Sequence, residues 1–336
     1  MTHHSVTVGE APPFAQDDGD TLLQAALRAG VPFPYECSSG GCGACKFEPV
    51  SGEVHNLWPE APGLTERDRR RGLQLACQCQ ARSDVQIKVR LAPECAPAVR
   101  PARRTARLLE ARPVTHDITE FRFATTAPAR FQAGQYAQLY LPGVAAPRSY
   151  SMSNLPNEEG EWHFMVRRVA GGKASAVLFE FMKPGDEIAL DGPYGMAGLR
   201  TGPERDIVCV AGGSGLAPML SIARGAAAAG LLERRTLHFF YGARTPRDVC
   251  GEAFLEVLPG FGGSIRYVPV VSQSGTDAWN GKTGFVHEAV VEELGERLAS
   301  CEFYLAGPPP MTQALQETLM LAHKVPFERI HFDRFF

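Results

Sequence analysis

Three rhythms of apolar and polar residues follow one another along the chain. Up to about Ala98 the pattern is mixed. Ser5–Gly9 reads as a short strand, and Thr21–Ala29 is apolar at helical spacing, with Asp20 as N-cap candidate and Gly30 as the residue past its end. A second short helix follows Pro62, with Thr65 as cap and Asp68 three residues on, and Val85–Leu91 alternates like an edge strand. Ala92–Arg104 holds three prolines and no periodicity, the mark of a linker. From about Thr105 to Leu199 short strands follow in series: Ala106–Glu110, Glu120–Ala124, Tyr136–Leu141, Arg148–Met152, Trp162–Arg168 and Glu187–Leu190, interrupted by one helix at Ala174–Phe181. Such a series with Gly and Pro turns predicts a small antiparallel barrel. From Asp206 strands and helices alternate: strands at Ile207–Ala211, Leu237–Tyr241, Arg266–Val271, Phe303–Ala306 and Arg329–Phe332, helices at Pro218–Ala229, Ala253–Leu258, Val286–Leu294 and Pro310–His323. That alternation predicts an α/β doubly wound sheet. Three domains are expected, at residues 1–98, 103–202 and 205–336, with no internal repeat.

A chain of 336 residues, 44% hydrophobic, can bury cores for two or three domains of ordinary size. The net charge of −3 lacks the basic excess of a nucleic-acid binder. Residues 1–97 carry 9 Lys and Arg against 12 Asp and Glu, so this segment holds the whole imbalance. No apolar run approaches the roughly 20 residues that span a bilayer, and no basic stretch leading into an apolar one opens the chain. The expectation is a cytoplasmic protein without membrane contact. In that compartment the nine cysteines read as ligands or free thiols. The nine histidines show no ligand spacing, and Arg67-Asp-Arg-Arg-Arg71 reads as a solvated helix face, with partner docking as the alternative.

Five cysteines crowd between Cys37 and Cys79. Cys37-Ser-Ser-Gly-Gly-Cys42-Gly-Ala-Cys45 has the C-x4-C-x2-C spacing of plant-type [2Fe–2S] clusters. Two ferric ions, two sulfides and four thiolates leave a negative cluster, which backbone N–H groups must approach closely. Small residues permit that wrap, and Ser38, Ser39, Gly40, Gly41, Gly43 and Ala44 supply them. Spacing alone leaves the fourth ligand open between Cys77 and Cys79. A zinc site of Cys42, Cys45, Cys77 and Cys79 would leave Cys37 and the glycines without a role. The stretch Leu75-Ala-Cys77-Gln-Cys-Gln-Ala-Arg-Ser-Asp84-Val resembles the end of plant-type ferredoxins, where the ligand stands seven residues before such an Asp. That resemblance implies Cys77.

In the barrel segment, Arg148-Ser149-Tyr150-Ser151 lies on a strand, and Gly172-Lys173-Ala174-Ser175 opens the helix. In this order, ahead of Pro193-Tyr194-Gly195, they resemble the flavin domain of the ferredoxin–NADP reductase superfamily. The resemblance implies that Arg148, Tyr150 and Ser151 bind FAD and that Gly172, Ala174 and Ser175 receive its pyrophosphate. The chemistry suits these roles. Arg148 offers a fork to phosphate, Tyr150 an aromatic face to the isoalloxazine, and Ser151 a hydroxyl near the hydride-accepting nitrogen. Tyr150 and Ser151 are thus the catalytic candidates. A helix N-terminus suits an anion.

Ala211-Gly212-Gly213-Ser214-Gly215-Leu-Ala-Pro218 follows an apolar strand and opens a helix. Pro218 stands where the dinucleotide fingerprint places its last Gly, but proline is welcome in a first helical turn. This form resembles ferredoxin-reductase-like nucleotide domains. Gly307 and Pro308 form a second strand-to-helix turn, in which the superfamily's usual Cys is replaced by Ala306. Gly242 and Arg244 follow the second strand as further nucleotide candidates. The third strand ends Ser272-Gln-Ser274 without the Arg of NADP-specific relatives, which favours NADH, although Arg244 and Arg247 stand nearby. The terminal Phe336 is expected against the flavin.

All three segments resemble reductase components of bacterial multicomponent oxygenases. Pro34-Tyr-Glu-Cys37 through Lys46, Gly52 through Pro59, Ala61–Leu64 and Val325–Phe336 look most like toluene monooxygenase reductases. This implies a β-grasp [2Fe–2S] domain, an antiparallel FAD barrel and an NADH-binding α/β domain. It also implies a Rieske-type ferredoxin, or the hydroxylase component itself, as acceptor in aromatic hydrocarbon catabolism, the ferredoxin feeding a di-iron hydroxylase. Reductases of phenol hydroxylases or ring-hydroxylating dioxygenases share the chemistry with another acceptor. A zinc-stabilised, non-catalytic redox-sensing module is the alternative from a different class.

Overall fold

The computed structural model describes residues 3–202, 204–275 and 278–334, without the side chains of Asp333 and Arg334. Two compact units result. Among the described residues, one holds the chain up to Arg103 together with Asp191–Met196. The other holds Arg104–Leu190 together with the chain from Ala197 onward.

The first unit is built on a five-stranded sheet, in spatial order Phe14–Gln16, His4–Val8, Val85–Lys88, Lys46–Ser51 and Gln74–Leu75. His4–Val8 and Val85–Lys88 pair in parallel, and the other neighbours are antiparallel. Val85–Lys88 is therefore central, not the edge strand its pattern predicts. Val85 and Ile87 are buried between outward Gln86 and Lys88, and a sheet covered on one face alternates this way at its centre as well as at its edge. Helix Leu22–Arg28 buries Leu22, Leu23, Ala25, Ala26 and Leu27, giving the β-grasp arrangement. Its cap is Thr21, one residue after the expected Asp20: Thr21 Oγ1 accepts from the Gln24 N–H at 3.3 Å, and Gln24 Oε1 accepts from the Thr21 N–H at 2.8 Å. Asp20 is drawn instead into ion pairs with Arg28 (2.6 Å) and Arg103 (2.9 Å). The same two guanidinium groups hold the fully buried Asp191, so both buried carboxylates are matched.

Six antiparallel strands, all in the second unit but for the ends of two of them, lie in the order Arg148–Ser151, Tyr136–Tyr140, Glu187–Tyr194, Ala102–Pro113, Ile118–Ala124 and Glu161–Arg167. A single bridge between Met152 and Phe164 brings the two ends together, so the barrel is nearly closed. Phe121, Phe123, Leu139, Trp162, Phe164 and Leu190 fill it. The helix expected at Ala174–Phe181 is one α-helical turn, Lys173–Ala176, continued by a π-helical turn, Val177–Phe181.

The remaining chain forms a six-stranded parallel sheet in the order Lys282–Thr283, Ile265–Val271, Leu237–Ala243, Ile207–Gly212, Glu302–Gly307 and Ile330–Arg334. Its central strands are apolar on both faces because both are covered. Helices Leu216–Ala228 and Glu252–Glu256 pack on one side, Val286–Leu294 and Pro309–Glu317 on the other. Chain order reverses beside Ile207–Gly212, and a ligand crevice opens at such a switch point, beyond the carboxyl ends of the strands.

Candidate functional site

Cys37, Cys42 and Cys45 share one loop, and Cys77 lies in the single turn Ala76–Gln78. The thiols form two facing pairs, Cys37 with Cys42 and Cys45 with Cys77. The Cys42 thiol, helped by Ser39, holds the Cys37 pKa below the ordinary thiol value. Cys77 likewise lowers Cys45, and the same pairings raise Cys42 and Cys77. Backbone N–H groups of Ser39 (3.4 Å) and Cys42 (3.3 Å) donate to Cys37 Sγ, and that of Ala44 to Cys42 Sγ (3.4 Å). Cys79 is engaged elsewhere: its thiol donates to Gln74 Oε1 at 3.0 Å, and burial pushes it up to about 12. The zinc set that needs Cys79 is therefore not assembled.

The loop is wound too tightly for side chains. Gly43 has φ +77°, and a Cβ there would lie 2.4 Å from the Gly63 carbonyl oxygen; one on Gly63 would lie 2.7 Å from that of Gly40. Two thiol pairs, N–H groups aimed at sulfur and a side-chain-free wrap fit a [2Fe–2S] cluster, with two thiolates available to each iron.

On the barrel strand Arg148–Ser151, Arg148 is exposed, and its guanidinium donates to the carbonyls of Ala146 (2.8 Å) and Pro147 (3.3 Å). Tyr150 packs against the barrel core, where burial pushes its hydroxyl up to about 12. Ser151 is buried. Ser149, which sequence reasoning passed over, carries a buried hydroxyl with no hydrogen-bond partner. Strand alternation, which puts it on the side of Ser151, is the signal that would have found it. An orphaned buried hydroxyl costs about 1–3 kcal/mol, and a polar ligand such as flavin would satisfy it. Gly172 and Ser175 stand together: the Ser175 hydroxyl accepts from the Val169 N–H (3.1 Å) and lies 3.0 Å from the Gly172 carbonyl. Ala174 is buried beside them.

The third group of residues borders a cleft of about 510 Å³. Gly212, Gly213, Gly242, Arg244 and Pro308 line it, all chosen from sequence. Ser214, Gly215, Pro218 and Gly307 do not line it, though Gly215 and Gly307 are closely packed. A Cβ on Gly215 would lie 2.1 Å from the Ala306 carbonyl oxygen, and one on Gly307 within 3.1 Å of Gly212. Pro218 is buried in the first turn of helix Leu216–Ala228. Arg244 is exposed and makes no ion pair among the described residues. Sequence reasoning missed the opposite wall, where Asp117, Ile118 and Arg167 come from the barrel and Phe285 and His287 from a helix start. Arg167 Nε donates to Asp117 Oδ2 at 2.6 Å, and His116 Nε2 lies 3.6 Å from Asp248 Oδ1. The cleft's glycine edge and free cation fit a dinucleotide. Phe336 lies outside the described residues. Ala306 is buried at its strand end, and Cys250, whose thiol donates to Tyr241 at 3.2 Å, is raised to about 11 by burial. Cys250 is therefore held as the neutral thiol at neutral pH.

A loop built for iron and sulfur, a flavin barrel and a dinucleotide sheet define a reductase that moves electrons between a nicotinamide and a one-electron carrier. Comparison with known proteins agrees along the whole chain. Residues 6–82 match the 2Fe-2S iron-sulfur cluster binding domain, 105–198 the oxidoreductase FAD-binding domain and 209–317 the oxidoreductase NAD-binding domain. The chain is 42% identical to the ferredoxin–NAD(P)(+) reductase CarAd of Metapseudomonas resinovorans, over 98% of each. It is 36% identical to the xylene/toluene monooxygenase electron transfer component XylA of Pseudomonas putida, over 98% of this chain and 92% of the relative. Among solved structures, the ferredoxin reductase in carbazole 1,9a-dioxygenase superposes with a TM-score of 0.91 at 37% identity, covering 100% of this chain and 99% of that one. The chain belongs to the ferredoxin–NAD(P)(+) reductase family of oxygenase electron-transfer components, flavoproteins with FAD-, NAD- and [2Fe–2S]-binding domains. Among the described residues no helix is long and apolar enough to cross a membrane.

Proposed function

We propose that the chain oxidises NADH and delivers electrons to a Rieske-type ferredoxin that supplies a di-iron toluene or aromatic monooxygenase. Two thiol pairs wrapped by glycine, in one polypeptide with a dinucleotide cleft, carry the electron-transfer part of this reading. Bound FAD takes the two electrons of a hydride together and the cluster takes them singly; the protein's residues bind, orient and shield. In this reading Cys37, Cys42, Cys45 and Cys77 are the cluster ligands, and Cys79 is not. Arg148 and the Gly172–Ser175 turn hold the flavin phosphates, Tyr150 flanks the ring and Ser151 hydrogen-bonds its hydride-accepting edge. Gly212, Gly213 and Pro308 border the pyrophosphate, and Arg244 neutralises it. NADH is favoured over NADPH because the third strand ends without a second arginine, so kcat/KM should favour NADH by at least about tenfold, some 1.4 kcal/mol. A ring-hydroxylating dioxygenase as terminal oxidase is the second reading, supported by the 42% identity to CarAd and the likeness to the reductase in carbazole 1,9a-dioxygenase. Turnover reconstituted with purified ferredoxin and hydroxylase components decides between them. Hydroxylation with a toluene monooxygenase set supports the first reading, and turnover only with a dioxygenase set replaces it with the second.

A further inference from the structure

The cluster loop is bordered by two surface features that the electron-transfer reading does not use. Leu57 and Trp58, adjacent in the chain, are 49% and 43% exposed and together present apolar surface to solvent. They are fastened to the loop: the Leu57 N–H donates to the Gln78 carbonyl at 2.8 Å, and a Cβ on Gly40 would meet the Trp58 ring at 3.1 Å. Gln78 in turn reaches Cys77 Sγ at 3.6 Å. The second feature is helix Glu66–Arg70 with its flanking Arg71. Thr65 and Asp68 close a capping box at its start, and Asp68 is paired with Lys46, 2.8 Å away, whose side chain lies beside Gly43. Gly63, just before the helix, donates its N–H to the Gly40 carbonyl at 2.9 Å. The helix is thereby tied to the same loop.

The charges on this helix divide in two. Asp68 is neutralised by Lys46, and Arg69 is turned inward to the carbonyls of Pro59 and Ala61 and faces Glu60 at 4.0 Å. Arg67, Arg70 and Arg71 are exposed and enter no ion pair among the described residues, with Glu66 alone opposing them. A patch of net positive charge thus borders the cluster loop, in the domain that carries the chain's whole acidic excess. Within the cluster loop itself Cys42 is half-buried and Ala44 is exposed.

We propose that Leu57, Trp58, Arg67, Arg70 and Arg71 form the docking surface for a protein electron acceptor with an acidic face. Tunnelling between redox centres falls steeply with distance, so an acceptor must land where the cluster is nearest solvent. The apolar pair gives it a dry contact, and the three cations steer and orient it. The inference rests on the electron-transfer reading.

The test reverses the charge at all three arginines, Arg67→Glu, Arg70→Glu and Arg71→Glu together, in the cofactor-loaded full chain. An acidic Rieske-type ferredoxin and basic cytochrome c serve as probes. At low ionic strength KM for the acidic ferredoxin should rise at least about tenfold, the difference fading at high salt as charges are screened, while KM for cytochrome c does not rise. An unchanged KM for the acidic ferredoxin, or an equal rise for both probes, overturns the proposal. Leu57→Ser should raise the KM for the acidic ferredoxin at high salt as well; no change removes the apolar pair from the surface. Anaerobic bleaching of the protein's own chromophores by NADH is the separate control. It should be unchanged in the variants, and its absence in the unaltered protein would sink the reductase reading rather than the docking surface.

Discussion

The cluster loop and the nucleotide cleft bind their cofactors by opposite constructions. The cluster loop is local: three of the four cysteines proposed as ligands fall within nine residues, and contacts such as Gly43 to Gly63 leave no room for a methyl group. The cleft is assembled from a distance, by the ends of parallel strands and by barrel residues far earlier in the chain, Asp117 and Arg167 standing 95 and 45 positions before Gly212. Its glycines differ among themselves. Gly215 is pressed against Ala306, but a Cβ on Gly213 would meet only Arg167, at 3.9 Å. A local site is rigid and intolerant; an assembled one is roomy where the ligand lies and tight at glycines outside its lining.

The sharpest test of the local site is its fourth ligand. Cys77→Ser should abolish the cluster's visible absorption and its iron, whereas Cys79→Ser should keep both; the reverse result would move the ligand to Cys79. Glycine replacements come next. Gly43→Ala forces a left-handed backbone costing roughly 1–2 kcal/mol and a Cβ into the Gly63 carbonyl, so iron content should fall severalfold. Gly213→Ala carries the same left-handed strain, φ +56° and roughly 1–2 kcal/mol, but meets open space, and should give only a few-fold rise in KM for NADH. Equal losses at both sites would erase the contrast. Ser151→Ala should slow flavin reduction in stopped flow by about tenfold or more with FAD still bound, and unchanged kinetics would remove Ser151 from the reaction.

The smallest effect concerns His238, on the strand Leu237–Ala243. It is fully buried, with neither ring nitrogen hydrogen-bonded. Burial, reinforced by Arg297, lowers its pKa below the ordinary 6.5. The unfolded chain therefore takes up a proton here that the folded chain refuses. Its contribution is fully present above pH 6.5 and is lost as the pH falls further. Melting curves at pH 5.5 and 8 should show a smaller acid loss in His238→Leu than in the unaltered protein.

What could be read from the sequence follows the same division. Cys37, Cys42 and Cys45 were legible because one short loop holds them. The choice between Cys77 and Cys79 needed a resemblance, since both lie at suitable spacing and only the fold turns Cys79 to Gln74. Gly212, Gly213 and Gly242 were legible as strand ends, but the barrel wall of the cleft was not, because tertiary adjacency leaves no periodic trace. Asp20 and Thr21 are both good caps, and the choice fell to Thr21 because Arg28 and Arg103 claim Asp20. The strand Lys46–Ser51 escaped notice because Pro49 interrupts it, at a bulge in its pairing.

The quartet of buried Asp20 and Asp191 with the partly exposed Arg28 and Arg103 makes the iron–sulfur module discontinuous in the chain. Cutting it out at residue 98, where composition changes, would strip away one guanidinium and one carboxylate. Asp20 and Arg28 would keep their own ion pair at 2.6 Å, but each would lose its second partner, a loss of up to about 1 kcal/mol for such partly exposed pairs. Anyone grafting this module onto another flavoprotein must carry Arg103 and the hexapeptide 191–196 with it, or rebuild their charges in the host.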